Sequence, residues 1–217
     1  MDGGGMADAQ EPEQARSVAD GMPLTGEPLA LELVNTTFVR GGLRGALIDA
    51  LRTPDDLDGW LADREPLFSE PLRTELPGAA ATEGHLARFL ELRQALRDLA
   101  AAHVAGRAPA GPPVDLLNAS APLAACWLQL APAADGPARA VTRRAEPDPH
   151  LAALGEVATA GIALFAGEAA DRIRACPAPG CILYFVQSHR RREWCTVACG
   201  NRVRVARHSR RAKGDTP

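Results

Sequence analysis

Four of the chain's five cysteines fall between residues 176 and 199, as Cys176, Cys181, Cys195 and Cys199. Cys176 and Cys181 bracket Pro-Ala-Pro-Gly, whose proline and glycine permit the tight turn that points two sulfurs to the same side. Cys195 and Cys199 follow, four positions apart and so expected on one face of a helix. Four thiolates suit tetrahedral zinc, and iron is the other ion that an S4 set accepts. Full coordination by protein leaves no open position for a water nucleophile, so an ion held this way is structural. His189, in the basic stretch between the two pairs, is a further side chain able to take a ligand position. In a reducing compartment such clusters hold metal more often than they form disulfides. The fifth cysteine, Cys126, has no cysteine or histidine at ligand spacing and is expected as a small core residue.

Beyond the second pair the chain reads CGNRVRVARHSRRAK. Arg204, Arg207, His208 and Arg211 follow an i, i+3, i+4, i+7 pattern and share one side of a helix, with Val203 and Ala206 turned inward. Guanidinium groups along one helical side can enter a major groove, pairing with guanine edges or gripping phosphates. Arg210 and Lys213 extend this charge, and Arg190, Arg191 and Arg192 in the preceding loop add backbone contacts. The sorting of charge supports the idea. Residues 171–217 hold 11 of the 24 basic residues and only Asp171, Glu193 and Asp215 among the 27 acids, a net +8. The preceding 170 residues carry 13 basic and 24 acidic side chains, a net −11. Clustered positive charge of this kind gains affinity for polyanions by releasing their counterions.

The elements that must position these groups can be read in outline. Ile182 to Val186 is an apolar run that reads as a strand leaving the first cysteine turn, and HRRRE is the loop before Trp194. The expected order is knuckle, hairpin, helix, a treble-clef-like arrangement. So small a module cannot fold on hydrophobic burial alone, and metal supplies the missing stability. Upstream, Leu29 to Val39 reads as a helix stopped by Gly41 and Gly42. Thr53-Pro54-Asp55-Asp56 opens a second helix with Leu57, Trp60 and Leu61 on its buried face. A long helix starts near Thr82 with Leu86, Phe89, Leu90 and Leu96 inward. Its Arg88, Arg93 and Arg97 are expected on a solvated face, and His85 and His103 as partly buried histidines without a catalytic role. Val114 to Ser120 forms a short helix. Leu123–Leu130 and Ala138–Arg144 flank a Gly-Pro turn and read as a β-hairpin. Asp148 and Pro149 open a last core helix running to about Ala170. The fold class is therefore α+β and mainly helical. Residues 1–26 are expected as a disordered leader, 27–170 as the main domain and 171–217 as the zinc module. No stretch reaches the roughly 18 apolar residues of a membrane span. The N-terminus lacks the pattern of a secretory signal, so the expected location is the cytoplasm.

WCTVACGNRVRVARHSRR resembles the CGNR-type zinc finger, with Cys199, Gly200, Asn201 and Arg202 matching its signature. LELVNT at Leu31 to Thr36, the TPDDLDGWL helix, and Leu117-Asn118 resemble the stress-associated regulatory (ABATE) domain found in front of that finger. The resemblance implies a bacterial transcription regulator in which the four cysteines bind metal. Gln187 stands where many members of the family it resembles carry an acid. Beside the site, Gly200 would allow close packing, the Asn201 amide would bond to a carbonyl or a sulfur, and Arg202 would neutralise the zinc tetrathiolate or reach a phosphate.

No GxSxG or HExxH pattern and no phosphate-binding glycine loop is present, and the reading is of a protein that is not an enzyme. The expected partner is double-stranded DNA. Two alternatives carry the same charges: RNA, with Tyr184, Phe185 and Trp194 available to stack bases, and a protein docked on the basic helix. The N-terminal domain admits a small-molecule effector, a protein partner, or a second copy of the chain.

Overall fold

The computed structural model describes residues 21–133 and 135–212, with side chains along the last helix placed as far as His208. The expected leader lies outside the described residues up to residue 20. Packed structure begins before residue 27, because Met22 and Leu24 are already buried in the core.

The first helix, α1 (Leu29–Val34), is buried along its whole length. It is shorter than expected. Asn35 and Thr36 turn the chain into β1 (Thr37–Arg40), which pairs antiparallel with β2 (Ala46–Asp49). Thr37, Phe38 and Val39 are residues that favour a pleated, half-buried surface over a helix. Gly41 and Gly42, at φ of +98° and +74°, make the turn of this hairpin rather than merely ending a helix.

Next come α2 (Pro54–Asp63) and the short α3 (Glu70–Glu75). Thr53 caps α2 through a reciprocal box with Asp56, and Leu57, Trp60 and Leu61 are buried as expected. The long α4 (Glu83–Val104) is capped in the same way by Thr82, whose hydroxyl accepts from the His85 N–H while His85 Nδ1 accepts from the Thr82 N–H. Then follow α5 (Gly111–Ser120) and a hairpin of β3 (Cys126–Ala131) with β4 (Arg139–Arg144). This hairpin stands on the surface, with Trp127, Leu128 and Leu130 exposed, so Cys126 is exposed rather than in the core.

The last core helix, α6 (Pro149–Ala166), is capped by Asp148, which accepts from the His150 and Leu151 N–H groups. It stops at Gly167, short of the expected Ala170. Among the described helices it is the one long and apolar enough to cross a bilayer, and half of that stretch is buried inside the fold. It runs parallel to α4. His85 Nε2 meets Asp148 at 3.0 Å where both helices start, and His103 Nε2 meets the Ala170 carbonyl at 2.7 Å beyond their ends. Between them Gly161 makes room for Leu96, whose Cδ2 would lie 2.6 Å from a Cβ there. Helix α1 packs on both.

Two arginines of α4 depart from the expected solvated face. Arg93 forms a two-pronged pair with Asp49, at 2.6 and 2.7 Å, and also donates to Thr36. Arg97 donates to the carbonyls of Val34, Thr37 and Ile182. Arg93 thereby ties β2 to the helix and Arg97 ties β1 to it. Arg88 alone of the three is exposed as expected.

The C-terminal segment supplies β5 (Ile173–Ala175), β6 (Tyr184–Val186) and α7 (Val197–Ala212). The knuckle opens the module and the helix closes it. The hairpin, however, embraces the knuckle instead of following it, since β5 and β6 pair on either side of residues 176–181.

Candidate metal centre and basic helix

Each cysteine is delivered by a different piece of local structure. Strand β5 ends at Ala175, which presents Cys176, and the turn at Gly180 (φ +72°) brings Cys181 back toward it. The Cys176 N–H donates to the Leu183 carbonyl at 2.9 Å, closing the knuckle. Cys195 lies in the bend ahead of α7 rather than on the helix, and Cys199 sits in the first turn of α7. Thr196 bridges them, its hydroxyl accepting from the Cys199 N–H.

All four sulfurs lie within 4.8 Å of one another. Cys181 to Cys195 and Cys181 to Cys199 are both 3.8 Å, and Cys195 to Cys199 is 3.3 Å. A zinc tetrathiolate with bonds of about 2.3 Å has sulfur-sulfur edges of about 3.8 Å, so the set fits the ion in donor type, number and spacing. Backbone N–H groups of Ala178 and Cys195 point at the Cys176 sulfur, and that of Leu183 at Cys181. Protons alone satisfy this cluster poorly. Hydrogen bonds from Cys181 and Cys195 pull Cys176 from its ordinary 9.0 down to about 2, while the contact with Cys176 pushes Cys181 up to about 12. Cys195 is driven up as well, first by Cys176. A divalent cation relieves the conflict by letting every sulfur ionise. The residues present therefore fit structural zinc.

Arg202 reaches back along α7 and donates from Nη2 to the Cys199 sulfur at 2.9 Å. Its guanidinium can offset the negative charge that a zinc tetrathiolate carries. Gly200 is buried beneath Trp194, whose Cε3 would lie 3.0 Å from a Cβ at that position. Asn201 behaves differently from the expectation. It is exposed, and its amide bonds to no sulfur or carbonyl among the described residues. His189 is exposed in the loop and outside the metal cluster.

The module is locked to the N-terminal domain by contacts that join residues far apart in the chain. The Asn35 amide donates to the Tyr184 carbonyl at 2.8 Å and accepts its N–H at 3.1 Å, acting as one extra residue beside β6. Glu27, itself buried, accepts from the Val186 N–H at 2.8 Å and from Arg192 at 2.5 Å. Gly180 lies so near Gly42 that a Cβ there would meet the Gly42 carbonyl carbon at 2.5 Å.

The basic residues thus divide into two groups. Arg192 is not free to bind a partner. It spans Glu27, the Val186 carbonyl and the Cys195 carbonyl, with its guanidinium 4.9 Å from the Phe185 ring centre. Gln187 supports the same turn by donating from its amide to the Arg192 carbonyl, which a carboxylate could not do. Arg202 is turned to the metal centre. Arg190, Arg191, Arg204, Arg207 and His208 are exposed, while Val203 is buried and Ala206 half-buried as the helical pattern requires. Arg204 also covers Trp194 at 5.9 Å. The side chains of Arg210 and Arg211, and Lys213, lie outside the described residues.

Sequence reasoning missed Glu27, Asn35 and Arg97, whose partners lie as much as 165 positions away. It also missed that Val197, Asn201 and Val205, spaced by four, are exposed together on the outer side of α7. That spacing was available as a signal.

A second cluster joins His85, Asp148 and His150. The His rings stack at 4.7 Å, and His150 Nε2 meets Asp58 at 2.8 Å. Because His85 Nδ1 accepts the Thr82 N–H, its proton sits on Nε2, facing Asp148, so this nitrogen offers no lone pair to a metal. The cluster ties α2, α4 and α6 together.

No curated protein matches the chain. Two family models do. The ABATE model, described as "Putative stress-induced transcription regulator", matches residues 27–168, and the CGNR zinc finger model matches residues 172–212. The chain belongs to the ABATE family and carries a CGNR zinc finger whose four clustered cysteines are suited to structural zinc.

Proposed function

We propose that the chain is a DNA-binding transcription regulator of the cytoplasm, with α7 as the element that enters the major groove. The observation that carries this reading is the outer side of α7. Arg204, Arg207 and His208 are exposed there beside Asn201, Val197 and Val205, on a helix rooted in the metal centre. Arginine suits guanine, an asparagine amide suits adenine, and a small apolar side chain suits the thymine methyl, so the face has the vocabulary of base reading. Arg190 and Arg191 in the preceding loop are placed to grip phosphates, which fix register without carrying sequence information. Zinc holds the helix in place, and the arginines make the contact. A site saturated by four cysteines supports binding rather than catalysis.

RNA recognition by stacking is less well supported, because Phe185 is buried and Trp194 is half-buried under Arg204. A protein partner on the basic helix would use the same charges and becomes the reading if no nucleic acid binds.

The test is selection from random-sequence duplexes at two salt concentrations, with zinc-stripped protein as control. Enrichment of one sequence only by the zinc-loaded chain is the expected result. Replacing Arg191, Arg204 and Arg207 together by Ala should weaken binding and lower the salt slope by about one for each phosphate no longer gripped. Unchanged affinity and slope in that variant would remove α7 from the interface.

A further inference from the structure

We propose that the cleft between α4, α5 and α6 is a binding site for a small organic carboxylate with an apolar body. The cleft has a volume of about 290 Å3, close to the lower bound of about 300 Å3 for small-molecule sites. Its walls are apolar: Leu99 from α4, Val114 and Leu117 from α5, and Ile162 and Phe165 from α6. Leu99 and Leu117 are buried at its floor, while Ile162 stays partly exposed at its mouth.

The polar lining is sparse and one-sided. Arg107, His103 and Asn118 contribute it, and no acid lines the cleft. Arg107 is the one formal charge there, and among the described residues its guanidinium has no carboxylate partner. A permanent cation beside apolar walls selects an anion with an apolar body, and a carboxylate matches the guanidinium fork in geometry.

Arg107 is held at the rim by the way α4 ends. Gly106 takes left-handed backbone at φ +63°, its N–H bonds to the His103 carbonyl at 3.0 Å, and the Arg107 N–H bonds to the Ala102 carbonyl at 2.9 Å. This is a Schellman closure, in which the position occupied by Arg107 commonly carries an apolar residue packed back on the helix. Here that position carries a cation over the cleft. Asn118, marked by the Leu-Asn pair in the sequence, brings an exposed amide to the same lining.

The cleft also adjoins the path to the metal centre. His103 lines it and binds the Ala170 carbonyl, and its ring lies 6.3 Å from that of Phe165. The chain runs from Ala170 through β5 straight to Cys176. An occupant touching His103 and Phe165 therefore bears on the segment that positions the first zinc ligand.

The test uses the full zinc-loaded chain and three probes of one shape: 2-naphthoate, neutral 2-naphthamide and cationic 2-naphthylmethylammonium. Isothermal titration should show saturable one-to-one binding of naphthoate, with the other two at least about tenfold weaker, the equivalent of one missing charged hydrogen bond. Arg107→Gln, an exposed and conservative change, should bring acid and amide to within about twofold of each other. Ile162→Trp, which fills the mouth, should abolish binding of both. No saturable binding of naphthoate to the wild-type chain, equal affinity for acid and amide, or selectivity retained in Arg107→Gln would each overturn the proposal. The titration contains no nucleic acid, so its outcome is independent of whether the chain binds DNA.

Discussion

Replacing Arg192 by Ala should destabilise the chain by about 3 kcal/mol without weakening the DNA binding proposed for α7. The side chain is 22% exposed and its partner Glu27 only 2%, so the substitution leaves a buried carboxylate with no counter-ion and only the Val186 N–H to hold it. Deleting one partner of a buried pair costs about 3–5 kcal/mol, and the lower end applies because solvent reaches part of the arginine. At roughly 2–4 °C per kcal/mol for a chain of this size, the midpoint of thermal unfolding should fall by about 6–12 °C. The assay is circular dichroism melting of the zinc-loaded protein at pH 7, supported by urea unfolding. Adding Glu27→Gln to the variant should recover about 1–2 kcal/mol, since an amide is cheaper than a charge to leave unpaired. Below the transition, the salt slope of DNA binding should match that of the wild type, whereas Arg191→Ala should lower it by about one. A midpoint shifted by less than about 2 °C, together with a slope reduced by one, would refute the assignment of Arg192 to the domain junction and return it to the phosphates.

Gly180→Ala should cost about 2 kcal/mol or more, since it adds left-handed strain to a Cβ placed 2.5 Å from the Gly42 carbonyl carbon; an unchanged urea midpoint would show that the knuckle does not pack there. Asp49 gives a pH dependence with a definite sign. Burial pushes its carboxyl up, but hydrogen bonds from Arg93 and the Leu51 N–H outweigh this and hold it below 3.8. A depressed folded-state value contributes stability that is present above the unfolded value of 3.8 and lost as pH falls through the lower, folded one. Asp49→Asn should therefore flatten the stability curve on the acid side of pH 3.8, and identical acid limbs in urea titrations of the two proteins would contradict the pairing. Chelation at neutral pH should release one zinc per chain, measured with a colorimetric indicator. It should lower the melting temperature of the whole chain, because β6 is bonded to Asn35 and Glu27. Release of zinc with no change in melting would mean that the centre is not coupled to the N-terminal domain.

What was legible in the sequence lies within a few residues of itself. The cysteine spacing, the Thr53 and Thr82 caps, the apolar faces of α2 and α4, and the inward Val203 all follow from geometry that repeats every turn of a helix or from a side chain bonding to its own backbone neighbours. What the tertiary structure alone decided is the work of residues whose partners lie in another segment. Arg93, Arg97 and Arg192 are polar by composition, so spacing places them in water. Folding gives them to Asp49, to three backbone carbonyls and to Glu27. Cys126 shows the converse, a small apolar residue left exposed on a surface hairpin together with Trp127, Leu128 and Leu130. Periodicity records which side of an element faces away from water. It does not record which buried charge will meet it there, because that energy depends on distances set only when the two segments pack.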